Sequence, residues 1–219
     1  MSEPNANLIF DRPIVTGSGA ARNENCSVEL LGLAIYGDYR HGYQLPCLDE
    51  AAQAAVVRVN DLLSDEAKQT RRWRLLVARL GLCHAHGNDR LSLRMALWAA
   101  RSVEHLADDP RVKACNDTFE RWLAGDATDD ELAAAGAAAE AAAGAEAAWA
   151  AAWAAGVDRD DALMEWLDAY LTAWHKTACD EGEAIPSEQE DEYVAFVEQL
   201  DLLLDERATG GPMPKGNTA

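Results

Sequence analysis

Residues 64–82 read SDEAKQTRRWRLLVARLGL. Trp73, Leu76, Val77 and Leu80 recur at steps of three and four, which puts them on one face of a helix, while Arg71, Arg72, Arg74 and Arg79 point largely elsewhere. Ser64 stands where a helix start needs an oxygen to accept an orphan amide, so a single amphipathic helix opening at Asp65 is expected. A strand would alternate apolar and polar side chains, and no stretch of the chain does so with β-branched residues.

The same periodicity extends in both directions. Upstream, DEAAQAAVVRVNDLL (49–63) carries Ala52, Ala55, Val56, Val59 and Leu62–Leu63 on one stripe, and CSVELLGLAIY (26–36) is apolar enough for a short buried helix. The loop GDYRHGYQLP (37–46) separates the two. Residues 1–24 hold Pro4, Pro13, Gly17 and Gly19 and form an extended N-terminal arm, with only Leu8–Phe10 and Ile14–Val15 able to pack. Downstream, LSLRMALWAARSVEHL (91–106) and PRVKACNDTFERWLAG (110–125) repeat the helical pattern, the second with proline at its first position. Thr128 and Glu131 make a capping box for a long alanine-rich helix running to Ala155, since alanine has the highest helix propensity. Asp158 caps RDDALMEWLDAYLTAWHKTAC (159–179), whose Leu163, Trp166/Leu167, Tyr170 and Trp174 form a stripe. Ser187 and Glu190 make a second capping box ahead of DEYVAFVEQLDLLLDE (191–206), with Val194, Val197, Leu200/Asp201 and Leu204 expected inward.

The expected fold is therefore all-α, a multi-helix bundle of about eight helices with a long Ala-rich helix in the C-terminal half. Its expected divisions are an arm (1–24), a helical bundle (25–125), an acidic Ala/Trp-rich helical layer (126–206) and a disordered Gly/Pro-rich tail (207–219). No stretch approaches the roughly 18 uncharged apolar residues of a membrane span. The first residues lack a basic start followed by an apolar segment, so a cytoplasmic protein with reduced thiols is expected.

Charge is unevenly placed. Of 38 acidic and 19 basic side chains, 22 acidic and four basic fall in residues 123–219. A chain of this sign repels nucleic acid and anionic lipid, so neither DNA nor a membrane is an expected partner and a basic protein is. The exception is the local run Lys68, Arg71, Arg72, Arg74 and Arg79, expected to pair with the acidic half or to meet a phosphate or acidic group.

The stretch Cys26-Ser-Val-Glu-Leu, Gly37–Asp38 with the His41–Cys47 loop, Val59-Asn60-Asp61 at a helix end, the arginine-rich segment and the alanine/tryptophan tail together resemble a known family. It is a widespread family of uncharacterised proteins from actinobacteria and their phages, with a Cys-Val-Glu-Ala opening, an Asp-His-Pro-x-Cys loop and a Trp-Asn-Asp helix end. The likeness covers roughly residues 22–155 and is most specific over 26–61. Here five residues separate His41 from Cys47 instead of two, Pro46 adjoins the cysteine, and Val59 replaces the tryptophan. The resemblance implies a phage or mobile-element setting.

Cys26, His41 and Cys47 are the candidate metal ligands, with Cys83-His84-x-His86 nearby; zinc takes four nitrogen or sulfur ligands, usually two from a tight pair that is missing here. The alternatives are small buried thiols for Cys26 and Cys47, and exposed helix-end residues for His84 and His86. A cysteine nucleophile would pair Cys26 or Cys47 with His41 and Asp38. No phosphate loop, nucleophile elbow or His-Glu-x-x-His motif appears. Trp149, Trp153, Trp166, Tyr170 and Trp174 are either core between antiparallel helices or a recognition stripe.

The expected function is that of a non-enzymatic helical interaction protein. Its partner-binding residues are Glu140, Glu146, Trp149, Trp153, Asp160, Asp161, Glu165, Asp168, Glu190, Asp191 and Glu192, the carboxylates acting as nucleic-acid mimics toward a host protein. The alternatives are a small metal- or cysteine-dependent enzyme using Cys26, His41 and Cys47, for which zinc is the expected cofactor, and a structural or assembly factor. A homodimer through the alanine/tryptophan helix fits either.

Overall fold

The computed structural model describes residues 4–15, 26–37, 45–84, 89–106, 109–140, 159–181 and 191–208. The chain is all-α. The helices among the described residues are α1 (Leu8–Asp11), α2 (Ser27–Tyr36), α3 (Glu50–Leu62), α4 (Asp65–Lys68), α5 (Arg71–Leu80), α6 (Asp89–Val103), α7 (Pro110–Ala124), α8 (Asp129–Glu140), α9 (Arg159–Glu181) and α10 (Asp191–Ala208). A 3-10 turn, Glu104–Leu106, follows α6. Among the described residues there is no strand, Leu48 and His84 form an isolated antiparallel bridge, and no helix is long and apolar enough to cross a membrane.

Two compact units are present, one from Met1–Gly87 with Ala162–Ala219 and one from Asn88–Asp161. In the first, α2 is central: Val28, Leu30, Leu31, Ala34 and Ile35 are fully buried, and α1, α3, α5 and α10 pack around it. A helix apolar on all sides needs such a surround. Gly37 ends it at φ 64, the left-handed conformation that glycine tolerates, and donates its N–H to Leu33 O at 2.9 Å.

The stretch 64–82 forms two helices instead of the one expected. Ser64 caps α4, but Thr70 leaves helical geometry (φ −69, ψ 151), donates Oγ1–H to Ala67 O at 2.7 Å and accepts Trp73 N–H at 3.3 Å. A threonine hydroxyl competes for backbone groups in this way, so Thr70 both ends α4 and caps α5. Trp73, Leu76, Val77 and Leu80 form the buried face as expected. Arg74 does not point away from the core: it is 6 % exposed, and its guanidinium donates to Ile9 O (2.7 Å), Arg12 O (2.6 Å) and Gln69 Oε1 (3.0 Å).

The described part of the N-terminal arm, residues 4–15, is a strap laid on this unit. Its one-turn helix α1 and the flanking residues bury Ala6, Ile9, Phe10 and Ile14. Asn5 N–H donates to Ala34 O at 2.7 Å, Gln69 Nε2 to Ile14 O at 2.7 Å and Asn60 Nδ2 to Val15 O at 3.0 Å.

From Ala162 on, α9 belongs to this unit together with α10 and not to a separate C-terminal layer: α9 meets α5 and the turn after it through Asp168, Thr172, Trp174 and His175, and α10 packs on α2 and the same turn. Gly81 permits the approach: a Cβ there would stand 2.9 Å from Phe196 Cε1 and 3.2 Å from Leu200 Cδ2. Tyr193 Oη donates to Gly81 O at 3.0 Å. The inner face of α10 is thus Tyr193, Phe196 and Leu200, while Val194, expected inward, is 48 % exposed because it lies about 100° round the helix from Tyr193.

In the second unit Asp109 caps α7 by accepting Arg111 N–H at 2.9 Å, with Pro110 at the first position. The expected capping box at α8 is formed: Thr128 N–H donates to Glu131 Oε2 (2.8 Å) and Glu131 N–H to Thr128 Oγ1 (3.2 Å). Leu91 and Met95 are buried, but Val112, Cys115, Phe119, Trp122 and Leu123 are only half-buried. Polar links do much of the joining. Arg101 of α6 bonds Glu104 (2.6 Å), Asp117 (2.7 Å) and Glu120 (2.8 Å), Asn116 bonds Glu104 (2.9 Å), and Trp122 Nε1 donates to Asp129 Oδ1 (2.7 Å). Of the long Ala-rich helix, α8 covers the part up to Glu140; residues 141–158 lie outside the described residues, as does the expected capping box at Ser187 and Glu190.

Two outcomes follow. Tyr193→Phe leaves Gly81 O without its donor and lowers the urea unfolding free energy by about 1 kcal/mol. Arg101→Met, which strips three carboxylates of one cation, speeds amide hydrogen exchange in α6 and α7 about tenfold, and unchanged exchange there would show the network to be idle.

Candidate functional site

The turn after α5 carries Cys83 and His84 to the side of α9. It is fixed by Asp49 N–H donating to Cys83 O at 2.8 Å and by the Leu48–His84 bridge. From α9, the Nε2 of His175 lies 3.9 Å from Cys83 Sγ, within reach of a sulfur hydrogen bond. The Trp174 indole meets His175 edge-on at 5.2 Å and His84 edge-on at 6.0 Å. One turn back, Arg79 pairs with Asp168 and donates to Thr172 Oγ1 at 2.9 Å. His84 is thus half-buried in a bridge and against an aromatic ring, not an exposed helix-end residue. His86 lies outside the described residues.

This corner joins a thiol to an imidazole, yet its electrostatics favour two neutral groups. Burial, and then the Asp49 carboxylate, push the Cys83 thiol well above its ordinary range. Burial, followed by electrostatic repulsion from Arg79 and then from the His84 ring, pulls His175 below its own. A nucleophilic cysteine needs the reverse, a thiolate stabilised by a neighbouring cation and open to substrate. Cys83 is fully buried. The corner therefore fastens α9 to α5. His175 stands 92 positions from Cys83, so only the fold pairs them; the one signal in the sequence is its place beside Trp174 at the edge of the α9 stripe.

Of the expected metal set, Cys26 is buried at the N-cap of α2, its amide donating to Glu29 Oε2 at 3.0 Å. Burial pushes its thiol up to about 11. Cys47 is half-buried in the turn before α3, and His41 lies outside the described residues, as does Asp38. Among the described residues no three His, Cys, Asp or Glu side chains are grouped to hold a metal ion.

The expected partner-binding residues divide by place. On α9, Asp160 is half-buried and Asp161, Glu165 and Asp168 are exposed, the last three at steps of four and three along one outward stripe. Asp168 is engaged by Arg79, as expected of the basic segment for that one arginine. Glu140 ends α8, and Asp191 and Glu192 open α10. Glu146, Trp149, Trp153 and Glu190 lie outside the described residues. The α9 aromatics are core: Tyr170 and Trp174 are buried, and Trp166 stacks on Tyr170 at 5.4 Å. Sequence periodicity missed Glu198 and placed Asp201 inward; both are exposed on α10 together with Val194 and Leu202, the latter 67 % exposed, because Asp201 follows the buried Leu200 by one residue, about 100° round the helix.

No protein-family model, curated protein or solved structure matches the chain.

The corner has a pH signature. Because folding lowers the proton affinity of His175, the unfolded chain holds more protons just below the ordinary histidine value, and stability falls as pH drops through that range. The urea midpoint is expected to be lower at about pH 5.5 than at about pH 7.5, and His175→Gln is expected to remove much of the difference. An identical pH slope in the two proteins would contradict this assignment.

Proposed function

We propose that the chain is a non-enzymatic helical interaction protein that binds a basic protein partner through the outward faces of its C-terminal helices. The observation that carries the proposal is the division of charge in the first unit. On α9 and α10, Glu165, Glu198 and Asp201 face solvent, whereas Arg74 is buried against backbone carbonyls and Arg79 is engaged by Asp168. Two of the arginines that would offset the carboxylates are thus already engaged, Arg74 in the core and Arg79 at the surface. Although Arg159 and Lys176 of α9 are also exposed, carboxylates outnumber them on these helices, and negative charge at helical spacing raises encounter rates with a basic surface and favours it over an acidic one.

In its finer form the proposal is nucleic-acid mimicry: carboxylates spaced along a helix occupy the basic groove of a nuclease, repressor or other nucleic-acid-binding protein of the host. A phage or mobile-element origin and a cytoplasmic setting belong with it, supported by the sequence resemblance and by the 22 acidic residues after position 122.

Salt and charge reversal test it. Tagged wild-type chain and the Glu165→Lys/Glu198→Lys/Asp201→Lys variant are used to capture proteins from a lysate of the source organism at about 50 mM and about 500 mM salt. The wild type is expected to retain a basic protein at low salt that the variant retains at least about tenfold less, a loss of about 1.4 kcal/mol. Release of that protein by duplex DNA supports mimicry. Equal capture by both chains overturns the proposal.

A further inference from the structure

The outward face of α10 mixes carboxylates with large apolar side chains. Its buried side is Tyr193, Phe196 and Leu200, and its exposed residues among those described are Val194, Glu198, Asp201 and Leu202. Val194, Glu198 and Leu202 follow one another at steps of four. They therefore stand as one ridge along the helix, with a carboxylate at its centre and an apolar side chain one turn away on either side. Asp201 lies beside the ridge, about 60° round the helix from Glu198.

Single exposed apolar residues are ordinary on a protein surface, but these are placed together. Val194 and Leu202 are the large hydrophobic side chains left exposed among the described residues, and both fall on this ridge. Its charge is uncommitted as well: neither Glu198 nor Asp201 forms a hydrogen bond or ion pair with another described residue.

The chemistry of the ridge selects what can cover it. Rows of side chains four apart are the rows that interdigitate when two helices pack. An occupant that buries Val194 and Leu202 must bring apolar groups to them and a cation to Glu198 and Asp201, because a carboxylate taken out of water without a partner is costly. A second copy of the chain using the same face would set carboxylate against carboxylate. A groove built for nucleic acid supplies cations and leaves the apolar pair unmatched. A helix with apolar residues four positions before and after a lysine or arginine supplies both, and because that pattern is the same read in either direction, it fits in either orientation.

We infer that the outward ridge of α10 docks a helix of the partner protein, with Lys or Arg opposite Glu198 and Asp201 and apolar side chains one turn to either side against Val194 and Leu202. The inference rests on the proposed function, and names the docking element of the basic partner within it.

The test is a display library of alanine-rich helical peptides, randomised along one face and selected on the full wild-type chain. Enriched peptides are expected to carry Lys or Arg flanked four residues away on both sides by apolar residues. By fluorescence anisotropy, the best labelled peptide is expected to lose at least about tenfold in affinity with Glu198→Lys/Asp201→Lys and, separately, at least about tenfold with Val194→Ser/Leu202→Ser. All four positions are exposed, so both variants are expected to keep wild-type helix content by circular dichroism. Loss in the charge variant alone overturns the inference and leaves the acidic docking face of the proposed function standing; loss in the apolar variant alone overturns the inference and removes α10 from that face. Enrichment of no such pattern, or binding unchanged in both variants, overturns the inference too. So does a wild-type chain that elutes as a dimer while Val194→Ser/Leu202→Ser elutes as a monomer, since the ridge then belongs to a second copy.

Discussion

A guanidinium cannot be taken out of water unless its donors are met, and Arg74 is the place where this fold accepts that constraint. Its partners are the carbonyls of Ile9 and Arg12 and the side chain of Gln69, so the position of the strap follows from the position of one arginine on α5. With the strap in place, Ile9, Phe10 and Ile14 complete the apolar packing of the first unit. Asn60 and Gln69 repeat the same logic at Val15 and Ile14. Charge-assisted bonds of this kind contribute about 1.5–3 kcal/mol each, against about 1 kcal/mol for a neutral pair, which makes Arg74 the dominant polar anchor of the strap.

Helical periodicity was enough to recognise the all-α class and the buried faces of α3, α5 and α9, because those faces are made of residues whose spacing matches 3.6 per turn. It was not enough where a single side chain redirects the chain. Thr70 breaks a continuous apolar pattern by capping α5, and the pattern itself gives no sign of the break. On α10, both Tyr193 and Val194 could head an inward stripe; Tyr193 wins because its hydroxyl reaches Gly81 O and its ring neighbours Phe196 and Leu200 close over Gly81. Arg74 reads as one more surface arginine until the strap is seen.

The candidate sites divide along the same line. Exposed carboxylates on α9 were legible, since polar residues opposite an apolar stripe face water. The Cys83–His175 contact was not, because 92 positions of sequence separate its members and neither lies in a motif. Its neutral state also explains why a thiol–imidazole pair here serves packing: burial works against thiolate and imidazolium alike, and the fixed charge of Arg79 is already matched to Asp168. Arg74 and Arg79 of α5 thus go into seating the strap and α9. Asp161, Glu165 and Asp168 stand along the outward stripe of α9 and Glu198 and Asp201 on the exposed turns of α10, and the proposed docking chemistry rests on them.

Amide hydrogen exchange of the intact wild-type chain, resolved at residues 4–15, bears most directly on the claim that a buried arginine seats the strap. The N–H groups of Asn5, Ala6, Phe10 and Arg12 are bonded to Ala34 O, Gln199 Oε1, Asn7 O and Leu8 O, and are expected to exchange as slowly as Arg74 N–H, bonded to Thr70 O within α5. Exchange of those four amides at the rate of an unstructured peptide, with α5 protected, would contradict the account.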